Sequence, residues 1–333
     1  MPSEPRKPRV LITCDTFSEV IEAASTRFEL IHSQGMPQHT PEALRERIQG
    51  CAGVLVTGTD RIDAALLDAS PGLRAVSIAA VGYNSIDIAA CTARGIQATN
   101  TPGVLDNTTA DLGFALILAA ARRLGEGERY LRAGRWQRWE NDLLLGVDVH
   151  GRTLGIVGMG RIGQAVARRG RGFDMPIIYH NRHPVDSATE SSLGASWRSL
   201  DDLLGEADIV CLCLPYSPAV HHLIGAAQLA QMKSDAVLVN IARGGIVDED
   251  ALADALAARR IAAAGLDVFE GEPRINPRLL ELDNAVLVPH IGSATRRTRV
   301  GMGLLAVRNL HAALAGDRPP NLINPDALGN GRG

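Results

Sequence analysis

The sequence predicts an α/β protein of two doubly wound parallel-sheet domains, and three observations carry that prediction. Short, continuous apolar runs alternate with amphipathic segments along the chain, which is the pattern of parallel strands covered by helices on both faces. At 333 residues the chain is longer than one core comfortably fills, since single cores stop growing at roughly 250 to 300 residues. Finally, an apolar run at 154–157 leads directly into Gly158, Gly160 and Gly163, a GxGxxG spacing that opens a segment rich in Ala and Arg.

In the N-terminal part, strands are expected at VLIT, FELI, GVLVT, LRAVSIAA and IQAT, with helical segments at 19–25, 41–49, 63–69 and 86–94 between them. This domain has no glycine fingerprint of its own, so its expected task is to close over a ligand held elsewhere. The TPG at 101–103 interrupts the alternation at a natural hinge, because the residue before a proline is pushed out of the α region.

A helix is expected from 104 to 124, apolar through ADLGFALILAAARRL. A helix apolar around most of its circumference must be buried on several sides, which places this one in the second domain and at a subunit interface. Residues 125–150 read as a loop carrying Trp136 and Trp139. The glycine-rich stretch then opens a run of six strands: its own, then MPIIYH, ADIVCLCLP, AVLVNIA, IAAAGLDVF and NAVLVPH. Helices are expected at 164–169, 199–205, 225–232 and 248–260. Such a set matches a complete Rossmann-like dinucleotide-binding domain. In that geometry Gly158 makes the tight turn, Gly160 lets the backbone approach a pyrophosphate, and Gly163 lets the helix pack on the strand. The helix amides and positive dipole end then face the phosphates. A last helix at 295–315 precedes a polar, proline-containing tail expected to return to the first domain.

A net charge of −3 offers no electrostatic footprint for nucleic acid or an anionic membrane. No apolar run approaches the roughly 18 residues of a membrane span, and MPSEPRKPRV reads as a frayed start without the apolar core of a secretion signal. A cytoplasmic protein with a small-molecule partner is expected. Cys14, Cys51, Cys91, Cys211 and Cys213 form no CxxC pair and have no histidine at metal-ligand spacing, so they read as reduced, mostly buried thiols, and no metal is expected. On a strand, Cys211 and Cys213 share a face.

Ligands of open α/β sheets bind outside the carboxyl ends of the strands, and three residues stand at such ends: Arg243 after VLVNIA, Glu272 past GLDVFEGEP, and His290 closing VLVPH. A histidine exchanges protons near neutral pH, and a carboxylate beside it orients the ring and favours imidazolium. An arginine grips a carboxylate through two parallel hydrogen bonds. Together the three suit a 2-oxo acid. Which dinucleotide is used follows from the end of the second strand. Tyr179, His180, Asn181, Arg182 and His183 stand there, with no Asp or Glu before Asp186 to hold the ribose 2′-hydroxyl of NAD. Arg182 would pair with the 2′-phosphate of NADP and Asn181 would hydrogen-bond to it, so NADPH is the preferred cofactor and NADH the lesser one.

The segments NIARGGIVDEDALADAL, AAAGLDVFEGEP, VPHIGSAT and GIVGMGRIGQAVARR resemble the signature regions of the D-isomer-specific 2-hydroxyacid dehydrogenases. AVGYNSIDI and NTPGVLDNTTADLGFALIL extend the likeness over most of the chain, and within the family it is nearest to the glyoxylate and hydroxypyruvate reductases. Asn84 stands where the family usually has Asp, in a loop. The resemblance implies a discontinuous substrate domain, residues 1–101 with 295–333, clasping a coenzyme domain at 102–294 with the active site in the cleft. It implies that Arg243 binds the substrate carboxylate and carbonyl, that His290 is the acid/base, and that Glu272 holds His290. Thr57, Gly58, Val81 and Gly82 would meet the carboxylate. Thr109, Leu214, Pro215, Ile241, Ala242, Asp267 and Gly292 would line the cofactor, together with Met159, Arg161 and Ile162 of the glycine loop. Trp139, on a segment that in related reductases can reach towards a neighbouring subunit's site, would be a specificity wall there or simple interface packing, in a homodimer. Phosphoglycerate- or lactate-type dehydrogenases remain as alternatives, as does a dinucleotide-sensing co-repressor. Formate oxidation fits poorly, because Glu272 stands where those relatives carry Gln.

Overall fold

The computed structural model describes residues 6–36 and 39–329, so the first residues of the expected frayed start and the end of the tail lie outside the described residues. The chain divides into two compact units, Met1–Leu105 with Ala294–Gly333, and Asp106–Ser293.

The first unit is a five-stranded parallel sheet in the order β2-β1-β3-β4-β5. Its elements are β1 (Arg9–Ile12), α1 (Ser18–Ser25), β2 (Glu29–His32), α2 (Pro41–Arg47), β3 (Gly53–Val56), α3 (Ala64–Asp68), β4 (Ala75–Ile78), α4 (Ile88–Ala93) and β5 (Gln97–Thr99). The central strands are buried on both faces, as their continuous apolar runs require. Leu11, Val54 and Val76 pack with Leu44, Leu66, Leu67 and Cys91 on one side. On the other, Val10, Ile12 and Leu55 pack with Val20 and Ala24 of α1 and with Ala306, Val307 and Leu310 of the helix Arg296–Ala315. Side-chain caps start the short helices: Thr40, Asp63 and Asp87 accept from the N–H groups of Ala43, Leu66 and Ala90. The tail does return to this sheet. Leu322 bridges Thr99, and the side chain of Asn324 accepts from Ala98 N (2.8 Å) while donating to Ile96 O (2.9 Å) and Thr92 Oγ1 (3.0 Å).

The second unit carries seven strands rather than the six expected, in the order β12-β11-β10-β9-β6-β7-β8, all parallel. It opens with α5 (Asp106–Ala121) and α6 (Leu124–Arg132), then runs β6 (Leu154–Val157), α7 (Arg161–Arg171), β7 (Ile177–His180), α8 (Ser187–Leu193), β8 (Ala195–Trp197), α9 (Leu200–Glu206) and β9 (Ile209–Leu212). Then follow α10 (Ala226–Gln231), β10 (Val237–Asn240), α11 (Glu249–Ala257), β11 (Ala263–Leu266), α12 (Pro277–Leu280) and β12 (Ala285–Leu287). The additional strand, β8, is three residues of edge whose ASW has no apolar run to announce it. Residues 125–150 are not wholly loop. The long helix stops at Ala121, Arg123 turns left-handed (φ 51°), and α6 follows without a single buried residue, so it lacks the core-facing apolar run that marks the other helices. Most of the buried side chains of α5 join one core with Leu154 and Ile156 of β6, Ala165 and Val166 of α7, and Val237 and Val239 of β10. Its burial is thus met within its own unit and does not call for a second subunit.

All five cysteines are free. Burial pushes the thiols of Cys14 and Cys91 up to about 12, which keeps them unreactive at neutral pH. The sulfurs of Cys211 and Cys213 lie 3.7 Å apart. No helix among the described residues is long and apolar enough to cross a membrane.

Asn324 is 4% exposed and holds three groups at the edge of the first sheet. Asn324→Ala leaves Ala98 N–H and Ile96 C=O without these partners, so it is expected to lower stability by about 3 kcal/mol in urea unfolding. A loss under about 1 kcal/mol would mean that water replaces the amide.

Candidate active site

Three neighbouring strands deliver the three expected residues. Arg243 follows β10, Glu272 lies in the loop after β11, and His290 lies just past β12. His290 Nδ1 and Glu272 Oε2 are 2.7 Å apart, and the other carboxylate oxygen, Oε1, accepts from Phe269 N (2.8 Å). Both oxygens of Glu272 are therefore committed. Burial alone would raise this carboxyl, but the bonds from His290 and Phe269 and the charges of His290 and Arg243 outweigh it, and the group sits below the usual glutamate range. Arg243 is half-buried, and its guanidinium donates to Ala242 O (2.6 Å). Burial lowers its pKa and the Glu272 charge opposes that. The His290 side chain is 48% exposed, so a ring fixed on one side remains open to a reactant.

His290 adopts a left-handed backbone (φ 51°), uncommon for a side chain of its size. Asp267 holds it there. Its carbonyl accepts His290 N (2.9 Å), and its carboxylate takes Ile291 N (2.6 Å) and Gly292 N (2.9 Å). Asp267 is 2% exposed; burial raises its carboxyl, against the hydrogen bonds from Ile291 and Gly292 and the charge of His290. A Cβ on Gly292 would stand 2.9 Å from Asp267 Oδ2 and 3.3 Å from Thr109 Cγ2, which puts Thr109, Asp267 and Gly292 in one group.

The glycine loop lies where β7 and β9 leave opposite sides of β6, the switch point of the sheet. Gly158 has φ +103°, and a Cβ there would lie 2.6 Å from Leu214 N, so the turn admits no side chain and brings the Leu214–Pro215 segment alongside. At Gly163 a Cβ would collide with Gly158 O, whereas on Gly160 it would meet no other atom. Glycine at 160 therefore answers to no packing among the described residues; it fits a cradle whose backbone must be approached by a phosphate, at the first turn of α7 formed by Arg161, Ile162 and Gly163. Met159 N donates to Asn181 Oδ1 (2.8 Å), tying this loop to the end of β7. Ile241 and Ala242 are buried beyond β10. Arg182 is exposed and makes no ion pair among the described residues.

Thr57 and Gly58 follow β3 and Val81 and Gly82 lie beyond β4, all in the first unit. Trp139 does not join the group around His290: it is 74% exposed and lines a shallow pocket with Tyr130, Leu131 and Trp136. Sequence reasoning missed the supports. Asp60 is buried and accepts from Thr57 N (2.8 Å) and Thr13 Oγ1 (2.7 Å), and Asn100 holds Val81 O (2.8 Å). Asn240 donates to Arg243 O (2.9 Å) and accepts from Ala242 N (3.0 Å), shaping the turn that carries the arginine. The signal for Asp60 was available, since Thr-Gly-Thr-Asp after a strand is turn chemistry.

A family model described as "D-isomer specific 2-hydroxyacid dehydrogenase, NAD binding domain" matches residues 114–292. Over 326 residues the chain is 45% identical to a glyoxylate reductase of Thermococcus onnurineus, covering 97% of each. It is 46% identical over 325 residues to one of Korarchaeum cryptofilum, again covering 97% of each. The chain belongs to the D-isomer specific 2-hydroxyacid dehydrogenases. Among solved structures, the dehydrogenase is similar to an NADPH-dependent glyoxylate/hydroxypyruvate reductase from Sinorhizobium meliloti in complex with NADP and malonate (TM-score 0.86, 34% identity, covering 96% of this chain and 98% of that one). The matched span contains the glycine loop and all three of Arg243, Glu272 and His290. The dehydrogenase is an oxidoreductase that works with a nicotinamide dinucleotide.

Because the Glu272 carboxyl is depressed, its ionised form contributes stability above its unfolded pKa and loses that contribution as pH falls through the lower folded value. The difference in Tm between the dehydrogenase and its Glu272→Gln variant is expected to be full near neutral pH and to shrink as pH falls below the ordinary glutamate value of 4.5. A gap that stays constant over this window would detach Glu272 from the linkage.

Proposed function

We propose that this dehydrogenase reduces a small 2-oxo acid, glyoxylate or hydroxypyruvate, to the D-2-hydroxy acid, with NADPH preferred over NADH. The observation that carries the chemistry is the 2.7 Å bond between His290 Nδ1 and Glu272 in a half-open setting beside Arg243. When bound, the dihydronicotinamide supplies a hydride to the carbonyl carbon. With Nδ1 engaged by Glu272, imidazolium His290 has its Nε2 proton to give to the carbonyl oxygen. Glu272 fixes the orientation of the ring through its bond to Nδ1. Arg243 aligns the carboxylate and stabilises charge gathering on the carbonyl oxygen. The small substrate is favoured by the reductases from Thermococcus and Korarchaeum, both named for glyoxylate.

NADPH preference rests on the end of β7, where no carboxylate follows His180 and Arg182 is exposed and unpaired among the described residues. Asn181 has its carbonyl oxygen committed to Met159, so it would serve the phosphate through its amide nitrogen. Thr109, Leu214, Pro215, Ile241, Ala242, Asp267 and Gly292 line the rest of the dinucleotide in this proposal. A cytoplasmic homodimer belongs to the same reading. With α5 buried within its own unit, the exposed surface of Leu131, Trp136 and Trp139 is where a second copy would pack, and packing then becomes the better role for Trp139 than a specificity wall.

An absorbance assay of NADPH and NADH oxidation against glyoxylate, hydroxypyruvate, pyruvate and bulkier 2-oxo acids tests the reading. Glyoxylate or hydroxypyruvate should give the highest kcat/KM; equal use of bulky acids, or no turnover of any, overturns it. His290→Ala should lower kcat by roughly 10²–10⁴-fold, the loss typical of a missing general acid, and near-normal turnover would remove His290 from that role. Arg182→Ala should raise KM for NADPH and leave that for NADH unchanged. Comparable kcat/KM with the two cofactors in the unaltered enzyme would refute the preference.

A further inference from the structure

Apart from the pair of His290 and Glu272, the described residues hold a cluster of three metal-capable side chains: His221, His222 and Glu270, all exposed. Consecutive side chains on an extended backbone point to opposite faces. Here a turn with His222 at φ 51° stacks the two imidazoles instead, with ring centroids 3.9 Å apart and planes at 23°. The two oxygens of Glu270 reach one ring each. His222 Nε2 lies 2.9 Å from Oε2, and His221 Nε2 lies 3.9 Å from Oε1. One ligand atom from each residue falls within 4.8 Å of the others. With zinc–nitrogen bonds of about 2.0–2.1 Å, neighbouring donors of a tetrahedral ion stand roughly 3.4 Å apart, inside the range these atoms span. Rotation of exposed side chains closes the remainder.

Two further observations favour an ion here. His221 Nδ1 lies 3.2 Å from the Tyr216 hydroxyl, an outer partner able to accept the Nδ1 proton and so leave the Nε2 lone pair for a metal. The neighbouring cavity is lined by Asp248, Glu249, Asp250 and Glu270 against Arg274 and Arg278, an excess of carboxylates. Glu249 accepts Glu270 N (2.6 Å), which holds the backbone of that glutamate in place beside the two imidazoles.

We propose that His221, His222 and Glu270 bind a divalent transition-metal ion of the zinc, cobalt or nickel class, through two imidazole nitrogens and one carboxylate, with water completing the shell. Imidazole donors select this class over calcium and magnesium. His222 N also donates to Gly245 O (2.8 Å), two residues past Arg243, while Glu270 stands two residues before Glu272. A bound ion would therefore tie together the two loops that carry Arg243 and Glu272.

Titration of the full-length protein with cobalt(II) chloride, followed by calorimetry and visible absorption, tests the site. One equivalent is expected to bind with a nitrogen/oxygen-ligand spectrum and to raise Tm, as any ligand of the folded state does. His221→Ala and Glu270→Gln should each weaken binding by more than about tenfold, and Tyr216→Phe by about tenfold, as for outer partners of metal ligands. His222→Asn, which tolerates the left-handed backbone, should act like His221→Ala. His150→Ala, outside the cluster, should bind as the unaltered protein does. The proposal falls if no saturable binding is seen, if His221→Ala retains full affinity, or if thiolate charge-transfer bands place the ion on cysteine. Binding lost in His290→Ala and kept in His221→Ala would place the ion on the Glu272 pair and equally overturn it.

Discussion

Because β10, β11 and β12 pair in parallel, with Asn240 opposite Leu266 and Leu266 opposite Leu287, three chain segments leave the sheet from one row of its carboxyl edge. Antiparallel pairing would send neighbouring strand ends to opposite edges. The parallel register lets residues far apart in sequence gather without long side chains having to search for one another. Helices α11 and α12 fill the crossovers between these strands, so the row is also buried on its faces and cannot drift. Geometry within hydrogen-bond range at His290 is therefore inherited from backbone pairing, and side chains make only the last adjustment.

That adjustment has a cost, and the same loops meet it. A half-buried guanidinium loses water, a carboxylate loses part of its own, and His290 sits in a backbone region that costs of order 1–3 kcal/mol for an ordinary residue. Against this stand the N–H of Phe269 on Glu272, the N–H groups of Ile291 and Gly292 on Asp267, and mutual attraction between Arg243 and Glu272. Asp267 matters most among these, since its carbonyl and both its carboxylate oxygens fasten the turn on which His290 stands. A loose turn would leave the imidazole free to rotate away from Glu272, and proton transfer depends on position before it depends on pKa.

Residues carried by strong local signals were legible in the sequence. Continuous apolar strands announced both sheets, the glycine spacing announced the turn after β6, and Arg243, Glu272 and His290 were readable because each follows an unmistakable strand. Elements lacking an apolar signature were not. In α6 all nine residues face water to some degree, and β8 shows only Ala195 to the core, so neither carries the buried apolar run that announced the other elements. Supporting polar residues were hidden for another reason. Asp60, Asn100 and Asn240 act through partners that only the turn conformation brings near them, and composition does not record a turn's conformation.

Asn181 joins these two kinds of residue. In sequence it stood out for what it was not, an acid at the end of the second strand; in the structure its side-chain oxygen holds Met159 N, inside the glycine loop itself. Trp197 of β8 in turn donates to Asn181 O (3.0 Å), so the short edge strand that periodicity missed braces the residue. The shape of the glycine loop and the chemistry at the end of β7 are thus mechanically linked through one amide. A carboxylate placed at 181 could accept from Met159 as the amide does, and would bring a negative charge to the place where Arg182 now supplies a positive one. An aliphatic residue there would do neither and would leave Met159 N without its partner. The amide keeps the loop in shape while adding no charge, which is what a site must do if its discrimination is to rest on the neighbouring arginine.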